Sequence, residues 1–482
     1  MTTSRPGGDR GAGVTAAKEG DFSAWYTQVV TRAELADYAP VKGLIVLRPD
    51  GYAIWEAVRG ALDARFAERG VRNGFLPVLI PESLLGREKE HFEGFNPEVF
   101  WVTRSGNDEI GDRLALRPTS EALAYTMYSK WIQSWRDLPL RMNFWNTALR
   151  AEIKGTKPFL RTSEFLWQEG HTAHATEQEA RDEVAAMLGI YGSVVRDELA
   201  IPVIHGDKSE REKFVGAVYT SAIESVMPDG RALQMGTSHF LGTNFSGPFG
   251  IRYSDRENRE HLAWQTSWGV SWRLIGAMIM VHGDDNGLVL PPRVAPVQAV
   301  VVPIVRGDAA AVAGAARAAL AALRGAGVRA VIDEREGFSP GYKFNYWELR
   351  GVPLRIEVGP RDAAASKVTI SRRYDRSRSE LGAGELGRIP GMLEEIQRAM
   401  LARAEEAAGR LTHRAGSYGE LAELAGRGLV YAAWCGGGKC EERVKEETGA
   451  EIRVVPPGGA DGAACVVCGA GASSVPVFAR GY

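Results

Sequence analysis

The chain has 482 residues, a net charge of −2, 45% hydrophobic and 24% charged residues, which is the composition of an ordinary globular protein of about three domains. No apolar run reaches the roughly 18 residues that would span a bilayer. The charge balance excludes a uniformly basic or acidic chain but not nucleic acid, because a basic face can be offset by acids elsewhere.

The first 20 residues, "MTTSRPGGDRGAGVTAAKEG", have no apolar core and contain Asp9 and Glu19. They read as a disordered tail (1–20) and not as a targeting peptide, so a cytoplasmic location without membrane contact is expected. From 21 to 290 helical and strand-like patterns alternate. A helix is expected over "GYAIWEAVRGALDARFAERG" (51–70), where apolar residues recur at helical spacing and Gly70 ends the run. In "RPTSEALAYTMYSKWI" (117–132) the plain structural reading makes Thr119 a helix cap and Glu121 a partner of the helix N-terminus.

"LRAEIKGTKPFLRTSEFLWQEGHTAH" (149–174) is the odd stretch, apolar yet threaded with charge. Burying so many polar groups is costly unless each has a partner. On a strand Arg150 and Glu152 leave from one face, "GTKP" is turn chemistry, and 159–169 is expected to return as a second strand. Taken alone, Arg150 and Glu152 fit a structural ion pair. In "QMGTSHF" (234–240) strict alternation puts Gln234 opposite to Thr237 and His239; a bulge near Gly236 would bring them together. Arg273 opens an apolar helical run with Ser271 as its expected N-cap. Asp284 and Asp285, in "HGDDNG", fit a solvated turn better than a magnesium site.

"PPRVAP" (291–296) is a linker. A small α/β unit (291–400) follows, read as strand, helix (309–324), strand, strand, and then a charged helix over 391–408. Two lookalikes are set aside. "GAGELG" (382–387) follows a charged run instead of a strand and meets Pro390 too soon for a dinucleotide fold, and in "GGGKC" Lys439 precedes Cys instead of Ser or Thr. All four cysteines, Cys435, Cys440, Cys465 and Cys468, lie in the last unit (401–482) as C-x4-C, 24 residues, C-x2-C. Two disulfides would suit a secreted module; paired knuckles are the ordinary layout of a four-thiolate zinc site, which is the expectation.

R-x-E, a loop and R-x-x-E-F resemble motif 2 of the class II aminoacyl-tRNA synthetases. With "RPTSEALAYTMYSKWI", "ALQMGTSHFLGTNF" (232–245), "QTSWGVSWRLIGAMIMVHGDDNGLVLPP" (265–292) and "FNYWELRGVPLRIEVGPRD" (344–362), the chain from about residue 21 onward resembles the archaeal/eukaryotic type of prolyl-tRNA synthetase. Trp272 departs from the pattern, where a small residue is expected.

That resemblance implies an α+β catalytic domain, an antiparallel sheet flanked by helices, with an α/β anticodon-binding domain and a small zinc-binding α/β domain. It implies ATP-dependent activation of L-proline and transfer to tRNA(Pro), with Mg2+ on the ATP. Arg150 and Arg273 would be catalytic; Glu152, Arg161, Thr162, Phe165, Gln234, Thr237 and Ser271 would join them at ATP. Thr119, Glu121, Arg150 and His239 would bind proline, with Trp167, Glu169 and His171 bracing the pocket. Glu348, Arg355 and Arg361 are candidates for reading the anticodon guanines. The 51–70 helix with "NGFLPVLIPE" resembles motif 1, implying a C2 homodimer.

Two alternatives have their own signatures. A threonyl enzyme needs a cysteine at an active-site zinc, and no cysteine precedes Cys435. An inactive tRNA-binding or regulatory paralogue usually loses a motif arginine, and Arg150 and Arg273 are present.

Overall fold

The computed structural model describes residues 13–91, 98–151, 155–305 and 309–482. Its centre is a sheet of seven strands: β1 (Arg72–Gly74), β2 (Leu140–Leu149), β3 (Glu164–His174), β4 (Ile204–Asp207), β5 (Tyr219–Val226), β6 (Ala232–Gly242) and β7 (Trp264–Ser271). They lie in the order β1-β2-β3-β7-β6-β5-β4, antiparallel throughout except for the β1–β2 pair. Alternation gives the sheet two different faces. On β3, Phe165, Trp167, Glu169 and His171 line a cavity, while Gln168 turns the other way and accepts from Tyr191 Oη at 2.5 Å.

Helices α1 (Pro49–Glu68), α2 (Glu121–Trp131), α3 (Glu177–Asp197) and α4 (Arg273–His282) clothe this sheet. Helix α3 starts with a reciprocal Thr176–Glu179 capping box. Its Met187, Tyr191, Val194 and Val195 share a core with Trp55, Val58, Leu62 and Phe66 of α1 and most of α4. Each such buried apolar side chain contributes about 1.5–3 kcal/mol. Gly170 is required where β3 meets β7, because a Cβ there would stand 2.2 Å from the Trp268 ring.

The first twenty residues are not all a loose tail. Within the described part, Thr15 Oγ1 donates to Gln28 and Lys18 Nζ donates to Gly283 O at 2.6 Å. The expected second strand over 159–169 begins later, at Glu164. Residues 157–161 instead close a tight turn in which the N–H groups of Leu160 and Arg161 both donate to Lys157 O.

The second unit is a five-stranded sheet ordered Ala330–Ile332, Ala299–Pro303, Leu354–Val358, Lys367–Arg372, Arg378–Gly382. The first three strands are parallel and the last two antiparallel. Helix Pro340–Leu349 escapes a sequence reading because its ten residues carry no apolar stripe; Ser339 caps it and Pro340 opens it. The charged run before "GAGELG" does hold a strand, Arg378–Gly382, at the sheet edge, where charges discourage further pairing. Pro390 sits in the first turn of helix Ile389–Arg410 and so starts that helix, which runs past residue 400. Gly384 and Gly387 are exposed, but they lie in a short 3-10 helix, Ala383–Arg388, in place of the expected loop. Asp284 is clamped by Arg373 (2.8 and 2.5 Å) and Arg376 (3.2 Å), so the "HGDDNG" turn ties the second unit to the first.

The last unit has four strands, ordered Thr412–Ala415, Leu429–Ala432, Val477–Ala479, Glu451–Val454. It docks on the β4 edge of the large sheet, where Asp207 and Val455 exchange backbone hydrogen bonds of 3.0 and 2.7 Å. A Cβ on Gly206 would lie 2.4 Å from Val455 O, so a glycine permits this approach.

Candidate active site

A cavity of about 550 Å³ opens on the face of the sheet away from α3. Its polar groups divide into a cationic end and an acidic end. Arg150 directly follows β2, Arg161 lies in the 157–161 turn, and Arg273 is the first residue of α4; all three line the cavity. Arg150 Nε donates to Pro118 O at 3.3 Å, and its guanidinium lies 5.3 Å from the Phe165 ring centroid and 5.9 Å from that of Trp167. Among the described residues none of the three guanidiniums has a carboxylate partner. Burial lowers the Arg273 pKa, with Arg150 and Arg161 adding to the effect and the Glu224 charge opposing it. Like charges held together without counter-ions suit a polyanion such as a nucleotide triphosphate.

Helix α4 opens at Arg273 as expected, but its cap is not Ser271. Trp272 occupies the cap position, while Ser271 Oγ still accepts from Arg273 N at 3.3 Å. Trp272 is buried, edge-on to Phe159 at 5.8 Å, which accounts for the large residue at that point.

Strand β6 contains the bulge. Opposite β5, Ile223 pairs with Gly236 but the next residue, Glu224, pairs with Gln234, leaving Met235 extra. Gln234, Thr237 and His239 therefore all line the cavity. Gly236 faces the other way, where a Cβ would meet Val270 at 2.8 Å and Tyr191 at 3.1 Å.

At the acidic end, Ser120 is the formal cap of α2 but its hydroxyl donates to Glu169 instead of the helix backbone. Thr119 likewise spends its hydroxyl on Glu121. Neither acts as an ordinary cap. Glu169 also accepts from Asn146 Nδ2 at 2.9 Å and Ser120 N at 3.2 Å, and meets His171 Nε2 at 3.3 Å. Burial opposes ionisation of Glu169, but His171, Ser120 and Asn146 outweigh it and hold its pKa below the ordinary value. His171 is raised: burial pulls it down, and Glu169 and Glu121 pull it up more. Glu121, 5% exposed, is raised chiefly by burial. His239 is pushed down to about 3, first by burial and then by the His171 charge, so it is neutral, with Nδ1 at 2.9 Å from Thr220 Oγ1.

Buried Thr162, together with Phe165, Ser271 and Tyr482, also lines the cavity. Glu152 lies outside the described residues. In the second unit Glu348 and Arg355 line one cleft of about 230 Å³ with Trp347, Arg372, Arg373 and Arg378. Arg361 is not among the residues lining that cleft; it is exposed on the short helix Pro360–Ala365. Glu348 already accepts from Asn286 at 2.9 Å, and Arg355 Nε donates to Glu357 at 3.0 Å.

The four cysteines are free thiols whose sulfur atoms lie within 4.8 Å of one another. Cys435–Cys440 is 3.7 Å and Cys435–Cys468 is 3.8 Å. A tetrahedron with metal–sulfur bonds of about 2.3 Å has edges of about 3.8 Å, so the cluster could hold a metal ion.

Several residues of the pocket escaped the sequence, Ser267 among them. Ser267 pairs with His171 on one side and His239 on the other, lines the cavity, and has a buried hydroxyl without a partner. A serine in a strand carries no signature that would have found it. Tyr482 was equally illegible: its backbone N–H donates to Ala232 O at 3.2 Å and its Oη to Asp229 at 2.6 Å, which brings the chain's end to the cavity rim.

A bulged antiparallel sheet with motif arginines on its open face defines a class II synthetase core. Residues 100–282 match the family model "tRNA synthetase class II core domain (G, H, P, S and T)", 298–389 "Anticodon binding domain", and 420–482 "Prolyl-tRNA synthetase, C-terminal". The proline–tRNA ligase of Cenarchaeum symbiosum is 66% identical over 474 residues, covering 98% of this chain and 99% of that one. That of Natranaerobius thermophilus is 49% identical over 93% of each chain. The crystal structure of prolyl-tRNA synthetase from Cryptosporidium parvum, complexed with halofuginone and AMPPNP, superposes with a TM-score of 0.94 at 40% identity, covering 98% of this chain and 99% of that one. The chain belongs to the prolyl-tRNA synthetase family.

Proposed function

We infer that the chain is a proline–tRNA ligase, joining L-proline to ATP as prolyl-adenylate and passing the prolyl group to tRNA(Pro). What carries this reading is one cavity with three unpaired guanidiniums at one end and a Thr119–Glu121 acceptor pair at the other. Attack of a carboxylate on the α-phosphate brings two anions together, so the reaction needs positive charge and alignment more than a base. Arg150, beside Phe165 and Trp167, bridges the proline carboxylate and the α-phosphate. Arg161 and Arg273 hold the outer phosphates, Phe165 lies against adenine, and Thr162, Gln234, Thr237 and Ser271 add polar contacts. Glu152 is assigned to the adenine amino group.

Proline's secondary ammonium donates to Glu121 and Thr119. Its positive charge draws Glu121 back to the ionised form. Neutral His239 closes the carboxylate side, and Ser267 offers its unpaired hydroxyl. Glu121, Glu169 and His171 lie within 4.8 Å of one another, but Glu169 is already taken up by Ser120, Asn146 and His171, and the third acid on the lining, Glu212, pairs with Lys445 at 3.5 Å. The residues thus fit a magnesium carried in on the ATP phosphates and not a protein-built cage. Such an ion would add to the charge that the arginines supply.

Zinc is assigned to Cys435, Cys440, Cys465 and Cys468 as a structural ion. The threonyl alternative is disfavoured because every cysteine sits in that cluster, and the inactive alternative because both motif arginines face the cavity. A homodimer is proposed from the exposed apolar Phe75 (82%), Val78 and Leu79 beside edge strand β1. A cytoplasmic location is proposed from the role; among the described residues no helix is long and apolar enough to cross a membrane.

The direct test is ATP–pyrophosphate exchange across the twenty amino acids, in which proline should dominate and alanine should give a measurable minor signal. Alanine is smaller, and each missing methylene costs only about 1–3 kcal/mol of discrimination. The 59 residues between His174 and Gln234 are taken up by α3, β4, β5 and their connections, leaving no room for an inserted hydrolytic domain. Preformed alanyl-tRNA(Pro) should therefore deacylate at the spontaneous rate when the protein is added; faster clearance would reveal a second site.

Anticodon reading is assigned to Glu348 and Arg355 in their cleft, with Arg361 as an outlying contributor. Changing all three to alanine should lower aminoacylation and spare pyrophosphate exchange. Equal loss of both activities would contradict the assignment.

A further inference from the structure

Glu224 is a buried charged group beside the cavity that the chemistry does not use. It is 0% exposed, on β5, in register with Gln234 of β6 and so on the same face of the sheet as the cavity. Two cations neutralise it. Lys208, on the cavity wall, lies 2.6 Å from Glu224 Oε1. Arg453 reaches it from the last unit, with Nη2 3.1 Å from each carboxylate oxygen and Nε 3.2 Å from Oε2. Arg453 O in turn accepts from Lys208 Nζ at 2.8 Å, and Arg453 Nη1 is steadied by Glu451 at 3.2 Å. Arg273 has no carboxylate partner among the described residues; Glu224 is the acid that acts on it most strongly, and Arg453 is among the cations that oppose that effect.

We propose that Arg453 is a positioning residue for adenylate formation: by occupying both oxygens of Glu224 with its two-armed fork, it keeps that carboxylate from capturing Arg273 and leaves Arg273 free for the ATP phosphates. The C-terminal unit thereby completes the nucleotide site without touching the nucleotide. Removing one partner of a buried ion pair leaves charge uncompensated; without Arg453, Lys208 would still hold Oε1 but Oε2 would be open to Arg273, and an Arg273–Glu224 pair would withdraw a phosphate ligand. This inference rests on the reading of Arg273 as a phosphate-binding residue.

The test uses the full zinc-loaded chain and reads pyrophosphate exchange against ATP and against proline. Arg453→Met should raise the KM for ATP by roughly tenfold or more while the KM for proline stays within about twofold, the pattern of a lost nucleotide contact. Adding Glu224→Gln to Arg453→Met removes the competing charge and should return the KM for ATP to within about threefold of the parent. A merely structural Arg453 would give no such rescue, so a double variant no better than the single one overturns the proposal, as does a parallel rise in both KM values. Arg453→Lys, which keeps the charge but loses the fork, supplies a second variant for the same rescue should Arg453→Met not retain its metal. Arg273→Ala in the parent separates the two readings: an increased ATP requirement there, with no rescue in the double variant, counts against Arg453 alone.

Discussion

Arg150→Ala should abolish most proline-dependent pyrophosphate exchange, by roughly 100-fold or more, the scale for deleting one charge-stabilising donor in a preorganised site. The effect should fall mainly on kcat. Arg150 lines the cavity, held by Pro118 O and near the Phe165 and Trp167 rings. There it meets the charge that builds as carboxylate and α-phosphate close on one another. Glu121→Ala should behave differently, raising the proline requirement while leaving the ATP requirement near that of the parent, because Glu121 sits with Thr119 at the acidic end. Near-normal exchange in a folded Arg150→Ala protein would refute the role given to this residue.

On the zinc assignment proposed above, Cys468→Ser should lower the metal content from one ion per chain to a small fraction. A serine hydroxyl is a poor ligand for a site built from thiolates at tetrahedral spacing, and structural zinc contributes about 10–16 kcal/mol of folding free energy in small zinc domains. The unit over 412–482 should then melt first, ahead of the catalytic core, as an early low-temperature transition in calorimetry. Its core is small: Val430, Val444, Ile452 and Phe478 are packed with two of the four cysteines, Cys440 and Cys465. Since this unit pins the β4 edge and carries Arg453, exchange activity should decline along with the metal. Wild-type protein with no zinc and a disulfide among the four cysteines would overturn the assignment.

The sequence was legible where function needs fixed residue types at short range. Arg150 and Arg161 flank one turn, Gln234 through His239 occupy one strand, and the cysteines form two close pairs. The conflict between alternation and the cavity-facing set in "QMGTSHF" pointed to the bulge that β6 contains. Local cues were less reliable when tertiary packing competed with them. The 157–161 turn delays β3 because Phe159 and Leu160 are drawn into the core around α4. Ser120 and Thr119 look like caps but serve Glu169 and Glu121.

Residue types and short spacings alone marked out the thiol cluster and a helix over 51–70, which the structure places at Pro49–Glu68, whereas the motif arginines gained their meaning only from the family resemblance. Tertiary structure decided which polar groups became partners. Glu169 takes its hydrogen bonds from Ser120, Asn146 and His171 on three separate elements. Ser267 gains its place only when β7 slides between β3 and β6. Glu224 and Arg453 are 229 residues apart, and no local pattern connects them. Charge, hydrogen-bonding capacity and periodicity are written in the residues themselves, whereas burial turns a surface carboxylate into one that must be neutralised, and burial exists only once distant segments have packed.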